Sequence, residues 1–193
     1  MGKIKMRFTW IIFHLILLGC AEVTSAQEKV FFNREIQNDA TFKVLEIFLS
    51  DTDKQISEIK FEKGTYHFYP EMALEMYRYI SNHNDELIRT AFPIDHYQDL
   101  TIDGQGSEFI FHGRMIPFII DNSENFKIKN LSIDWAMPFH SEALVVANDE
   151  EENSFDLKIT KDFPYEIRNE QLVFVKEYYE HNLGQAILYD HER

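Results

Sequence analysis

Asp103 and Asp134 are the residues of this 193-residue chain whose types and positions best suit acid–base chemistry. Each follows an apolar residue near the end of a short β-patterned run, Leu100-Thr101-Ile102-Asp103 and Leu131-Ser132-Ile133-Asp134, so both point outward if the runs stack side by side. Two outward carboxylates on neighbouring strands can line a groove, one giving a proton and the other taking one. Each also has a structural reading, Asp103 as the cap of the turn at Gly104 and Asp134 as a solvated surface acid. Trp135 offers a flat apolar face for stacking, although alternation with Leu131 and Ile133 directs it into a core. His112, His140 and Glu142 fall at strand ends, where a cleft or a plain turn would place them. His83, between Asn82 and Asn84, reads as an anchor between segments. Asp190-His191-Glu192 looks like a metal cluster, but adjacent residues of an extended chain point to opposite sides, so no metal site is expected. No phosphate loop, nucleophile elbow or zinc motif is present.

The elements that must hold these residues are short strands. Leu100 and Ile102 recur as Phe126 and Ile128, an offset of 26 residues. Between them lie Phe109-Ile110-Phe111, closed by His112-Gly113, and Ile116 to Ile120, closed by Asp121-Asn122-Ser123. Three short strands per interval, broken at Gly, Asn or Asp, suit a solenoid with coils of about 20–30 residues. Like residues would then stack about 4.8 Å apart along the axis. A β-sandwich, which also uses short strands at regular intervals, is the competing architecture. Before this region the pattern differs. A polar stretch runs to Asn38, and Asp39 is placed to cap a helix carrying Phe42, Leu45, Phe48 and Leu49. Strand patterns follow at Ile56 to Phe61 and Tyr66 to Phe68, and Pro70 is placed to open a second helix through Ala73, Leu74, Tyr77 and Ile80. Residues 27–95 therefore read as an N-terminal cap with two helices, and residues 96–193 as the first coils of the solenoid. Ser141 to Ala147, Phe155 to Thr160, Gln171 to Tyr179 and Ile187-Leu188-Tyr189 read as further strands. No closing helix follows, so the expectation is a solenoid that stops incomplete.

The first 26 residues read as an export signal, with Lys3, Lys5 and Arg7 ahead of an apolar run from Phe8 to Leu18. That run is shorter than the roughly 20 residues a membrane span needs. Cleavage after Thr24-Ser25-Ala26 would release a soluble protein. Leu17-Leu18-Gly19-Cys20 instead resembles a lipobox, in which Cys20 would carry a lipid and give the only membrane attachment. Cys20 is the only cysteine, which excludes an intrachain disulfide and a cysteine-based zinc site. Removing the signal leaves 16 basic and 32 acidic residues, a net charge near −16. Such a surface opposes nucleic-acid binding and suits a neutral ligand, besides keeping an exported protein soluble.

An ordered set of short motifs resembles glycoside hydrolase family 110, the bacterial α-1,3-galactosidases. It comprises Ile80-Ser81-Asn82-His83, Phe92-Pro93, Leu100-Thr101-Ile102-Asp103-Gly104-Gln105-Gly106-Ser107, Phe111-His112-Gly113, Ile116-Pro117-Phe118 and Asn130-Leu131-Ser132-Ile133-Asp134-Trp135. The resemblance runs from about residue 37 to the C-terminus. It implies a right-handed parallel β-helix that releases terminal α-1,3-linked galactose from galactose-containing glycans, with inversion and without a cofactor. Inversion needs two carboxyl groups about 6.5–9.5 Å apart. The resemblance places the catalytic pair beyond position 193, leaving Asp134 and Asp103 as groove candidates and Trp135 and His112 as candidate substrate contacts. Two other functions compete: an inactive β-helix piece that binds glycan, and another β-helix polysaccharide hydrolase or lyase. The lack of clustered Lys or Arg counts against a lyase with a basic groove.

Overall fold

The structure, a computed structural model, describes residues 27–79, 84–184 and 186–190. The leader and Cys20 lie outside the described residues, as do Ile80 to His83, His191 and Glu192. The fold is mainly β. Its first part holds eight strands, β1 (Glu28–Phe32), β2 (Ile56–Phe61), β3 (Thr65–Phe68), β4 (Leu74–Arg78), β5 (Glu86–Asp95), β6 (Thr101–Phe111), β7 (Ile116–Asp121) and β8 (Lys127–Trp135), with the helix α1 (Thr41–Ser50).

Most pairs among these strands are parallel: β1 with β2, β2 and β3 with β6, β6 with β8, and β5 with β7. The sequence offset is a physical register, because Ile102 lies beside Ile128 and the N–H of Lys127 donates to the carbonyl of Leu100 at 2.9 Å. It continues through the turns, where Tyr97 and Asp99 bond to Ser123 and Asn125, each 26 residues on. Matched turn positions also share left-handed backbone, His96 (φ 60°) with Asn122 (φ 45°) and Asp99 (φ 58°) with Asn125 (φ 53°). Asn and Asp tolerate this conformation better than most side chains.

Stacked inward positions build the core. One column runs Ile59, Ile102, Ile128 and another Phe68, Phe111, Trp135. Phe61 lies 4.8 Å from Phe109 and Phe68 4.8 Å from Phe111, centroid to centroid, and all four are fully buried. The helix closes one side of this aromatic body. The N-cap position is Ala40 rather than Asp39, but Asp39, one residue earlier, accepts the N–H of Thr41 at 2.9 Å, and Phe48 sets its ring against Phe92 and Tyr97.

Two expectations for the cap need correction. The second helix does not form: Pro70 opens only a single 3₁₀ turn (Pro70–Met72), and Leu74 to Arg78 become β4. β4 pairs antiparallel with β5, Leu74 opposite Thr90 and Met76 opposite Ile88, and its burial alternates with period two. The unpaired edge of β5 outweighed a weak helical pattern. The polar stretch before Asn38 also contains a strand, β1, which extends the parallel sheet, so part of the segment read as a cap belongs to the stack.

The strands after Glu142 pair antiparallel, where the sequence suggested further coils. β9 (Ala143–Asp149) and β10 (Ser154–Ile159) form an antiparallel hairpin, and β11 (Tyr165–Arg168), β12 (Gln171–Lys176) and β13 (Tyr179–Asn182) an antiparallel sheet. Their connections explain this. Asn169 (φ 50°) and Glu170 (φ 63°) make a two-residue turn, and Glu177-Tyr178 make another. Parallel neighbours need a crossover of a dozen or more residues, so such turns enforce antiparallel pairing. Ile187, Leu188 and Tyr189 form no strand and are exposed.

Candidate functional site

Asp103 is buried within β6, where the register with β8 shifts between Asp103 and Ser107. Its Oδ1 accepts the backbone N–H of Gln105 at 3.0 Å and the side-chain amide of Asn130 at 2.9 Å, and its Oδ2 lies 3.3 Å from Lys129 Nζ. The Asn130 bond, then the Gln105 bond and Lys129, hold its carboxyl below the usual aspartate range, against the opposing effect of burial. A carboxylate with both oxygens engaged and ionisation favoured is a poor proton donor.

Asp134 is exposed, and its Oδ1 accepts the N–H of Trp135 at 2.8 Å. Asp103 stands opposite Lys129 and Asp134 opposite Ile110, toward opposite ends of the β6–β8 ladder. The strands do not bring the two aspartates together as a pair. Trp135 packs its ring 5.9 Å from Phe111 and 5.1 Å from Phe139, so it extends the core column. His140 and Glu142 are exposed and bond to one another at 3.0 Å. Among the described residues no group of three or more His, Cys, Asp or Glu could hold a metal ion, and Asp190 is exposed. Two shallow hollows have single acids in their walls, Asp99 in one and Glu170 in the other.

A partly buried polar arrangement joining three elements lies where β6 ends against the β12–β13 turn. His112 follows β6 and is buried. Its Nδ1 lies 2.7 Å from Glu177 Oε1, and its Nε2 lies 2.9 Å from His67 Nδ1 on β3. A carboxylate can only accept, so His112 Nδ1 carries hydrogen and its Nε2 accepts from His67 when both rings are neutral. Glu177 Oε2 also accepts the N–H of Gly113 at 3.2 Å. Tyr69 stacks on His112 with centroids 4.0 Å apart. Burial, then the neighbouring His112, lower the pKa of His67, with Glu108 and Glu177 pulling the other way. Beside this line Lys176 Nζ donates to the carbonyls of Pro138 at 3.0 Å and His140 at 2.7 Å, and burial lowers its pKa. His112 is thus committed to internal bonds. His67 and Glu177 escaped the sequence reading because they lie 45 and 65 residues from His112, with no local spacing to mark them.

A family model described as GLAA-B beta-barrel domain I matches residues 141–193, the antiparallel part of the chain. The chain is 36% identical over 177 residues to alpha-1,3-galactosidase A of Shewanella woodyi, a match covering 89% of this chain and 29% of that relative. It is 37% identical over 129 residues to alpha-1,3-galactosidase B of Akkermansia muciniphila, covering 66% of this chain and 16% of the relative. With alpha-1,3-galactosidase B of Bacteroides thetaiotaomicron it shares 36% identity over 135 residues, covering 69% and 22%. These three relatives are alpha-1,3-galactosidases by name. The chain is similar to glycoside hydrolase family 110 proteins, and it spans between 16% and 29% of the length of these three relatives.

Proposed function

We propose that this chain forms the first coils of a right-handed parallel β-helix, followed by the start of a β-barrel domain, in an exo-acting α-1,3-galactosidase. The observation that carries the reading is the match to the Shewanella woodyi protein, which covers 89% of the chain. The 26-residue parallel register supports the β-helix, and parallel crossovers are overwhelmingly right-handed. The substrate is a glycan ending in α-1,3-linked galactose, hydrolysed with inversion by two carboxyl groups about 6.5–9.5 Å apart and without a cofactor. Asp103 serves the scaffold, since its oxygens are spent on Gln105, Asn130 and Lys129. Asp134, exposed at the end of β8, is the remaining groove candidate among the named aspartates. The leader directs export, to the periplasm, the outer membrane or the medium, with Cys20 as the lipid attachment point if the lipobox is used.

The test joins this chain to the remainder of the Shewanella woodyi protein and follows its action on α-1,3-galactobiose by proton NMR. β-Galactose should appear first, and α-1,4-galactobiose should be a poorer substrate. First release of α-galactose would overturn inversion, and preference for the α-1,4 linkage would overturn the substrate assignment.

A further inference from the structure

We propose that the line Glu177–His112–His67 is a proton-counting clasp, holding the β12–β13 turn against the end of the parallel sheet while it carries at most one extra proton and releasing it at the second. The line joins three separate elements, β3, the end of β6 and the β12–β13 turn, through bonds of 2.9 and 2.7 Å. Its turn also lies close on Gly113 (φ 61°), where a Cβ would come within 2.8 Å of the Tyr178 ring.

The nitrogen-to-nitrogen bond between the two imidazoles has room for one hydrogen. In the neutral line His67 Nδ1–H donates to His112 Nε2. One added proton makes His112 the donor at both nitrogens, so that His67 accepts at Nδ1 and carries its hydrogen at Nε2. The new cation then lies against Glu177, and every bond survives with one direction reversed. A second proton puts hydrogen on both facing nitrogens and two cations on rings with centroids 5.1 Å apart. That bond must break. The groups facing the line are Glu108 from β6, Glu177 from the turn, and Tyr69, which stacks on both rings. Tyr178 covers Gly113 and is itself faced by Glu71 and Glu177. The direction of the His67 shift agrees, because burial and His112 both resist its imidazolium.

The test follows the imidazole nitrogens of His67 and His112 by NMR in the whole chain from pH 8 to 4, together with amide exchange at Gly113, whose N–H donates to Glu177. Two separated proton uptakes are expected. Gly113 protection, corrected for intrinsic exchange, should fall by about tenfold or more across the second step and not the first. His67→Phe should keep Gly113 protected to the lowest pH, and Glu177→Gln should lose protection already at neutral pH. Simultaneous titration of the rings, protection lost at the first step, or a folded His67→Phe chain that behaves like the wild type would each overturn the proposal. Should His67→Phe fail to fold, the wild-type titration decides alone.

Discussion

The side-chain amide of Asn130 donates to Asp103 Oδ1 at 2.9 Å, tying β8 to β6 where their register shifts. Asn130 sits at φ 55° and Gln105, whose N–H the same oxygen accepts, at φ 51°. One carboxylate therefore fixes two left-handed positions on neighbouring strands. Asp103→Ala should destabilise the chain by about 1–3 kcal/mol in urea denaturation, because two hydrogen bonds to a charged acceptor are lost.

The same aspartate gives a pH dependence of known sign. Its folded pKa is lowered from the ordinary 3.8, so its contribution is present in full above that value and is lost as pH falls through the folded value. Asp103→Asn should therefore flatten the acid limb of the stability profile. An unchanged slope between pH 5 and 2 would contradict the role given to Asp103.

Gly104 marks the close approach of the two strands. A Cβ there would come within 2.6 Å of Leu131 Cβ and 2.8 Å of the Asn130 carbonyl oxygen. Gly104→Ala should cost about 1–3 kcal/mol through displacement of β8 from β6. Gly64→Ala is the comparison. There the new methyl meets only the flexible end of the Gln37 side chain, which can swing away, and the measured loss of stability should be smaller.

Phe109 is fully buried and contacts Phe61, Tyr66, Phe68 and Phe92. Phe109→Ala should cost about 3–5 kcal/mol, and a thermal melt would read it directly. Lys176→Met tests the connector between the two parts of the chain. It leaves the carbonyls of Pro138 and His140 without their donor, so amide exchange should rise around residues 138–142 while β2 and β6 keep their protection.

The stack was legible because its repeats are local in kind: Leu100 and Ile102 return as Phe126 and Ile128, and the turns return as Asp and Asn. β4 was not, because Leu74, Tyr77 and Ile80 satisfy a helical pattern, and only the free edge of β5 decides otherwise. The strands around Asn148 to Asn153 were visible as strands, but their antiparallel pairing rests on the short connection between Asp149 and Ser154, and that of β11 with β12 on a turn at Asn169-Glu170 that lacks the usual glycine. Asp103 could be read as a turn cap from its glycine neighbour. The His67–His112–Glu177 line could not be read at all, since its members meet only after folding.

Galactose release from an α-1,3-linked galactoside tests the central claim most directly, measured on this chain alone and on the same chain joined to the remainder of the Shewanella woodyi protein. The account predicts release by the joined protein and none by the chain alone, since Asp103 and Asp134 form no pair. Release by the chain alone, abolished by Asp134→Asn, would contradict the scaffold role. A joined protein that folds, as judged by a cooperative melt, yet releases no galactose would contradict the galactosidase assignment.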